Sequence, residues 1–395
     1  YFINIFFLLE TDPNRKEGRA MNFTCRTADF EEAVAAASRA VTAKSSIEAA
    51  EGLLIRANRE GIRVVGYNLT AGIGIEMSCE GTVEESGAIV LPMRTLSEIV
   101  RKLPEETMVF RSSELFSSTI TSGEAESSVM GISPEDFPAL PEVIPDQVIA
   151  LSYETLKNLT RRTAFSVAIT DARPILTGVL FEIENDHIRT VALDGVRLAL
   201  ANDRLTRPID GRYSFVVPGK NVTEMARTIK ETDEEIEILL SDKHLQIQKG
   251  NITFVTRLLD GKFLPYEAVI PKEVTMSAVV DVQEMIESVE RTGVIINERM
   301  RTPLILRFEE QSLKTYCSSS TGCAKDRIAA QIDGPTTEIG VNNRYLLEAL
   351  KAADCERVRF EIQSRLSPMV IKPEEGDAFS FIIVPLNYAK AGDGC

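Results

Sequence analysis

The spacing of apolar and polar positions divides the chain into three stretches of one design. Leu91-Pro92-Met93-Arg94-Thr95-Leu96-Ser97-Glu98-Ile99-Val100 reads as a strand end, a turn and the start of an amphipathic helix. Val217-Pro218-Gly219-Lys220-Asn221-Val222-Thr223-Glu224-Met225-Ala226 reads the same way, as does Val341-Asn342-Asn343-Arg344-Tyr345-Leu346-Leu347-Glu348-Ala349-Leu350. The apolar members are Leu96, Ile99, Val100 and Leu103, then Val222, Met225, Ala226 and Ile229, then Leu346, Ala349, Leu350 and Ala353. Each set recurs at i, i+3, i+4 and i+7, one face of a helix. A strand is expected after each helix, near 108–110, 236–240 and 358–362, and a further helix earlier in each copy, over 30–41, 156–167 and 282–291. Pro92, Pro218 and Asn342 hold equivalent places at offsets of 126 and 124 residues, the size of one domain.

Short alternating strands with turns fill the intervals, among them 178–183, 188–193, 253–258 and 379–384. Proline-rich joints stand between copies: Phe137-Pro138-Ala139-Leu140-Pro141 through Pro145, and Phe263-Leu264-Pro265-Tyr266 through Pro271. The expectation is an α+β protein of three repeated domains, helices on antiparallel sheets. The boundaries are 21–143, 144–272 and 273–387, with a polar tail over 388–395. Residues 1–20 are expected to be a non-native upstream extension. Lys16-Glu17-Gly18 can be encoded as a ribosome-binding sequence placed before Met21, and the apolar run 1–9 lacks the basic flank and cleavage site of a signal peptide.

The face opposite each apolar stripe also repeats. Arg94 and Arg101, Lys220 and Arg227, Arg344 and Lys351 stand seven residues apart within their copies, nearly in line along a helix. This basic line can be a solvated face paired with Glu98, Glu224 and Glu348, or a surface facing a polyanion. The chain carries a net charge of −15, which argues against a protein that grips nucleic acid over its whole surface but allows a local basic stripe. Further basic residues, Arg39, Lys157, Arg161, Arg162 and Arg291, fall on or beside the earlier helices.

Positive signs of catalysis are lacking. The two histidines, His187 and His244, are expected in surface hairpin turns. No phosphate-binding loop or nucleophile elbow is present, and Gly72-Ile73-Gly74 lacks the rest of a dinucleotide fingerprint. Asp233-Glu234-Glu235 reads as a solvated loop. The six cysteines form no C-x-x-C pair and suit reduced thiols. Neither cofactor nor metal is expected. A hydrolase built from scattered carboxylates and a DNA-free interaction scaffold remain open on these grounds.

Several phrases carry a resemblance. Arg189-Thr190-Val191-Ala192-Leu193-Asp194-Gly195-Val196-Arg197-Leu198-Ala199 is similar to R-T-V-A-T-D-G-H-R-L-A of the bacterial sliding clamps, the β subunits of DNA polymerase III. Phe181-Glu182, Val216-Val217-Pro218 and Asp260-Gly261-Lys262-Phe263 also match, and the resemblance covers Met21 to about Leu386. It implies a non-catalytic processivity factor in the cytoplasm, associated with the nucleoid. Two copies would close head-to-tail into a six-domain ring around duplex DNA, and catalysis would belong to the polymerase assembly. It further implies that Lys44, Arg94 and Lys220 face DNA; Arg344 joins them on the repeat alone.

A groove between the second and third domains would seat linear motifs of the polymerase α subunit, the clamp loader, and other polymerases and repair proteins. Its residues would be Arg173, Leu176, Leu193, Gly195, Val196, Arg197, Leu198, Val269, Ile382, Val384, Pro385 and Leu386. Val196 and Leu193 replace a family His and Thr, Leu264-Pro265 shifts a proline, and Ala268 stands where a basic residue is common. The chain continues past Leu386 as a polar tail that could partly cover the groove.

Overall fold

A computed structural model describes residues 20–170, 172–296, 302–320 and 322–388. The expected upstream extension, up to residue 19, and the tail from residue 389 lie outside the described residues. The chain forms two compact units: residues up to Glu142 with Gln248–Val255, and Val143–Ile247 with Thr256 onward.

Among the described residues six α-helices run in pairs, α1 (Thr27–Ser38) with α2 (Met93–Val100), α3 (Tyr153–Thr163) with α4 (Gly219–Thr228), and α5 (Val282–Gly293) with α6 (Asn343–Ala353). The buried positions follow the expected stripes: Leu96 and Val100 on α2, Val222 and Met225 on α4, Leu346, Ala349 and Leu350 on α6. Each fully buried Leu or Val contributes roughly 1.5–3 kcal/mol, so the stripe anchors even the eight-residue α2, too short to persist alone. Leu103 and Ile229 fall just beyond their helices. The third earlier helix extends two residues past its expected end, and the first two begin and end about three residues before the expected bounds.

In the first unit, one antiparallel sheet orders the strands Gly81–Glu85, Met21–Arg26, Thr107–Ser112, Ser117–Ser122 and Ala125–Met130. In a second sheet, Gly61–Asn68 pairs with Ile73–Cys79 and with Gly52–Asn58, which pairs with Gly87–Pro92. In the second unit, Gln147–Leu151, Ile236–Leu240 and His244–Lys249 pair in turn. A seven-stranded sheet runs Gly178–Leu193, Arg197–Pro218, Phe379–Ile383, Met369–Pro373, Arg357–Ile362, Met276–Asp281 and Gln331–Asp333. It therefore continues from the second copy into the third, through the pairs Arg197↔Ile383 to Ala201↔Phe379. The third copy adds a four-stranded sheet ordered Gly322–Ala329, Ser312–Ser319, Leu304–Glu309 and Thr337–Val341.

Two expectations need correction. Stretches 178–183 and 188–193 are one 16-residue strand, Gly178–Leu193, and His187 lies inside it rather than in a turn. Asn185 takes a φ of 56° and the register shifts on both sides of it. The extra residues of this irregularity lie on the partner strand, where Glu184↔Arg212 is followed by Asn185↔Ile209 and His187↔Arg204, and burial passes from Val179, Phe181 and Ile183 to Ile188, Thr190 and Ala192 without the strand ending. Cys25, Cys79, Cys317 and Cys355 are free thiols.

Candidate functional site

Lys44 is exposed in the loop after α1, and Arg94, Lys220 and Arg344 are exposed in the first turns of α2, α4 and α6. Arg101, Arg227 and Lys351 are exposed one further heptad along. In each domain the basic line thus opposes the buried stripe. The expected ion pairs three residues along are realised in α4, where Glu224 binds Arg227 at 3.1 Å. On α6, Glu348 turns instead to Arg197 and, at 3.9 Å, to Arg344, while Lys351 reaches Glu290 of α5 at 2.8 Å.

The basic residues of the earlier helices are more engaged. Arg161 binds Asp354 at 2.5 Å and Arg291 binds Asp326 at 2.7 Å. Arg162 lies over the Phe379 ring at 5.3 Å, and burial first, then the neighbouring Arg161, lowers its pKa.

The groove residues gather around one apolar cluster that straddles the second and third copies. Leu176, Leu193, Leu198 and Ile382 are buried in it with Leu180, Tyr266 and Val370. Leu176 comes from a 3-10 turn begun by Pro174, with exposed Arg173 just before it. Leu193 and Leu198 are opposed across the hairpin turn, where Gly195 takes a φ of +93° with open space around it. Exposed Val196 stands on that turn, and exposed Val384 donates its backbone N–H to Val196 O at 2.9 Å. Exposed Val269 ends the 3-10 turn that buries Tyr266. Pro385 and Leu386 are half-buried. The arrangement is a dry floor with apolar side chains at its rim, suited to a few apolar anchors.

Arg197 is the exception among them. Its side chain is only 9% exposed, and it binds Asp194 of its own turn at 3.0 Å and Glu348 of α6. Its guanidinium stacks 4.4 Å from the Tyr345 ring and 5.6 Å from that of Phe165. It therefore joins the second copy to the third. Phe165 and Tyr345 were not singled out from the sequence, and Glu348 was expected only as a partner for the basic line of its own helix. Tyr345 corresponds to Thr95 and Asn221 in the other copies, so the repeat carries no signal for it.

Tyr266 donates to Glu182 at 2.5 Å and receives a bond from Arg189 at 3.3 Å. Burial, then the Glu182 bond, raises its pKa to about 12. A separate cavity of about 1010 Å³ follows the long hairpin and shares none of the groove residues. Its lining includes Arg204 and Arg212, paired with Asp186 and Glu184, and is mostly charged and polar. Among the described residues no group of three or more His, Cys, Asp or Glu is placed to hold a metal ion, and no helix is long and apolar enough to cross a membrane.

Comparison with known proteins covers nearly the whole described chain. Residues 21–141, 150–265 and 267–387 match the N-terminal, central and C-terminal domains of the DNA polymerase III beta subunit. The beta sliding clamp of Bacillus subtilis is 29% identical over 377 residues, 93% of this chain and 99% of that protein. A crystal structure of a putative DNA polymerase III beta subunit from Eubacterium rectale superposes with a TM-score of 0.87 at 30% identity, covering 93% of this chain and 100% of that one. The sliding clamp of Pseudomonas aeruginosa bound to griselimycin superposes at 0.86 with 26% identity, covering 93% of this chain and 100% of that one. Three clamp domains in order, each with its helix pair and antiparallel sheets, place the chain in the family of the DNA polymerase III β subunit, the bacterial sliding clamps.

Proposed function

We infer that two copies of this chain close head-to-tail into a ring of six domains, with the exposed basic helix faces turned toward the duplex inside. The protein works as a DNA sliding clamp, a non-catalytic subunit that keeps the replicative polymerase on its template; the hydrolase and DNA-free scaffold readings give way to that family assignment. Our reading assigns DNA contact to Lys44, Arg94, Lys220 and Arg344. It assigns partner docking to the cluster of Leu176, Leu193, Leu198 and Ile382 with Arg173, Gly195, Val196, Arg197, Val269, Val384, Pro385 and Leu386. Polymerase α subunit, clamp loader and repair proteins dock there through linear motifs, and griselimycin is taken by the same groove. Domain joints fall at 143/144 and 272/273, and the ring acts in the cytoplasm on nucleoid DNA.

The observation that carries this reading is the threefold repetition of a basic line on an exposed helix face in a chain of net charge −15. An acidic body repels DNA elsewhere, while weak contacts to phosphates permit sliding because they carry no sequence information. A clamp loader with ATP should place the protein on nicked circular DNA, where it remains until the circle is cut. Equal retention on linear and circular DNA would contradict encirclement.

A further inference from the structure

The chain does not end its ordered course at the groove. After Val384 has bonded to Val196 O, the N–H of Leu386 donates to Gly340 O at 2.8 Å, on the outer strand of the four-stranded sheet, Thr337–Val341. Two residues on, the Tyr388 ring lies directly on Gly340. A Cβ on residue 340 would fall 2.6 Å from Tyr388 Cδ1, so only glycine admits the ring there. Glu338, which shares a strand face with Gly340, accepts the Tyr388 hydroxyl on Oε1 at 2.8 Å and the Tyr316 hydroxyl on Oε2 at 2.8 Å. The Arg365 guanidinium stands over the Tyr388 ring at 5.8 Å. Burial, then the Glu338 bond, holds the Tyr388 pKa far above that of a free phenol, so the hydroxyl remains a donor at any working pH.

We propose that Tyr388 and Glu338 form a strap that fixes the segment Val384 to Leu386 as a preformed wall of the partner groove. The inference rests on the groove assignment above and adds two positioning residues to it. A wall held only by the two backbone bonds at Val384 and Leu386 would have to be ordered when a partner binds, at a cost in affinity. The strap meets that cost during folding.

The test measures binding of labelled griselimycin to the full chain and to four variants. Tyr388→Ala, which loses ring and hydroxyl, should weaken binding about tenfold, and Tyr388→Phe and Glu338→Gln about threefold. Retention on closed circular DNA should not change in any of these three, because the ring is untouched. Val196→Asp, in the groove itself, should abolish binding. If Val196→Asp abolishes binding while Tyr388→Ala binds as tightly as the parent, the strap is refuted and the groove stands. If Tyr388→Ala binds more tightly, the segment is a cover and the proposal is equally overturned. If Val196→Asp binds normally, the groove assignment fails and the strap loses its purpose.

Discussion

At the scale of single residues, Arg197 is the side chain on which the joint between the second and third domains turns. Its charge is nearly buried, answered by two carboxylates and stacked on Tyr345. Truncation to Ala leaves Asp194, itself only 15% exposed, without its positive partner, although Oδ1 keeps the N–H groups of Val196 and Arg197, and should cost about 3 kcal/mol. Arg197→Lys should recover less than half of that, since an ammonium can neither span two carboxylates in a fork nor stack as a plane. Glu348→Gln should cost no more than about 1 kcal/mol, because that carboxylate is 37% exposed. Urea denaturation midpoints at neutral pH separate the three.

Tyr266 gives a second residue-scale prediction. Its proton is held more tightly in the folded chain, with a pKa of about 12 against an ordinary 10.0, from burial and then from Glu182. Its contribution to stability is therefore complete below pH 10 and drains as pH rises toward 12. The parent should lose stability over that interval more steeply than Tyr266→Phe, as alkaline unfolding curves would report. The residues at this scale were only partly legible. Leu193 to Leu198 are visible as one phrase, because they are contiguous across a hairpin turn. Phe165, Tyr345 and Glu348 meet Arg197 only after two domains pack, and nothing in their local spacing marks that meeting.

At the scale of elements, the helix starts explain why the third copy departs from the other two. Proline precedes α2 and α4, with a backbone already set near a φ of −56° and −51° and no N–H of its own to satisfy. Asn342 precedes α6 and accepts from the N–H groups of Arg344 and Tyr345 at 3.0 and 3.2 Å. It satisfies two of the donors that a helix start leaves open. Asn342→Ala should destabilise the third domain by about 1 kcal/mol, and should speed amide exchange in the first turn of α6 more than elsewhere.

Elements whose signal is helical period were legible to within about three residues, because a stripe of four apolar residues admits one reading. The long hairpin was not. Asn185-Asp186 has the composition of a turn, and the same tolerance of left-handed backbone serves a bulge just as well. What decides between them is the change of buried face between Ile183 and Ile188, five residues apart. An odd interval requires the alternation of faces to slip once if both are to face the core, as it does around the left-handed Asn185.

At the scale of the whole molecule, the charge arithmetic distinguishes enclosure from adhesion. A protein held by phosphate contacts alone releases counterions in proportion to its basic side chains, and its affinity falls steeply with salt. A closed ring is held by topology, so salt should weaken the sliding contacts without freeing the clamp. Replacing Arg94, Lys220 and Arg344 together by Ala removes three exposed charges opposite the buried stripes. These substitutions leave the core residues in place. Binding to linear duplex should weaken, and the slope of log affinity against log salt should fall by about one for each side chain removed. Lifetime on a closed circle, once loaded, should remain within about twofold of the parent, although loading itself slows as the electrostatic attraction to DNA declines. Pulse-chase retention on circular DNA after a salt jump measures the lifetime, and titration of a linear duplex at several salt concentrations measures the slope. A triple variant that leaves closed circles as fast as it leaves linear DNA would mean that charge, and not closure, holds the protein in place.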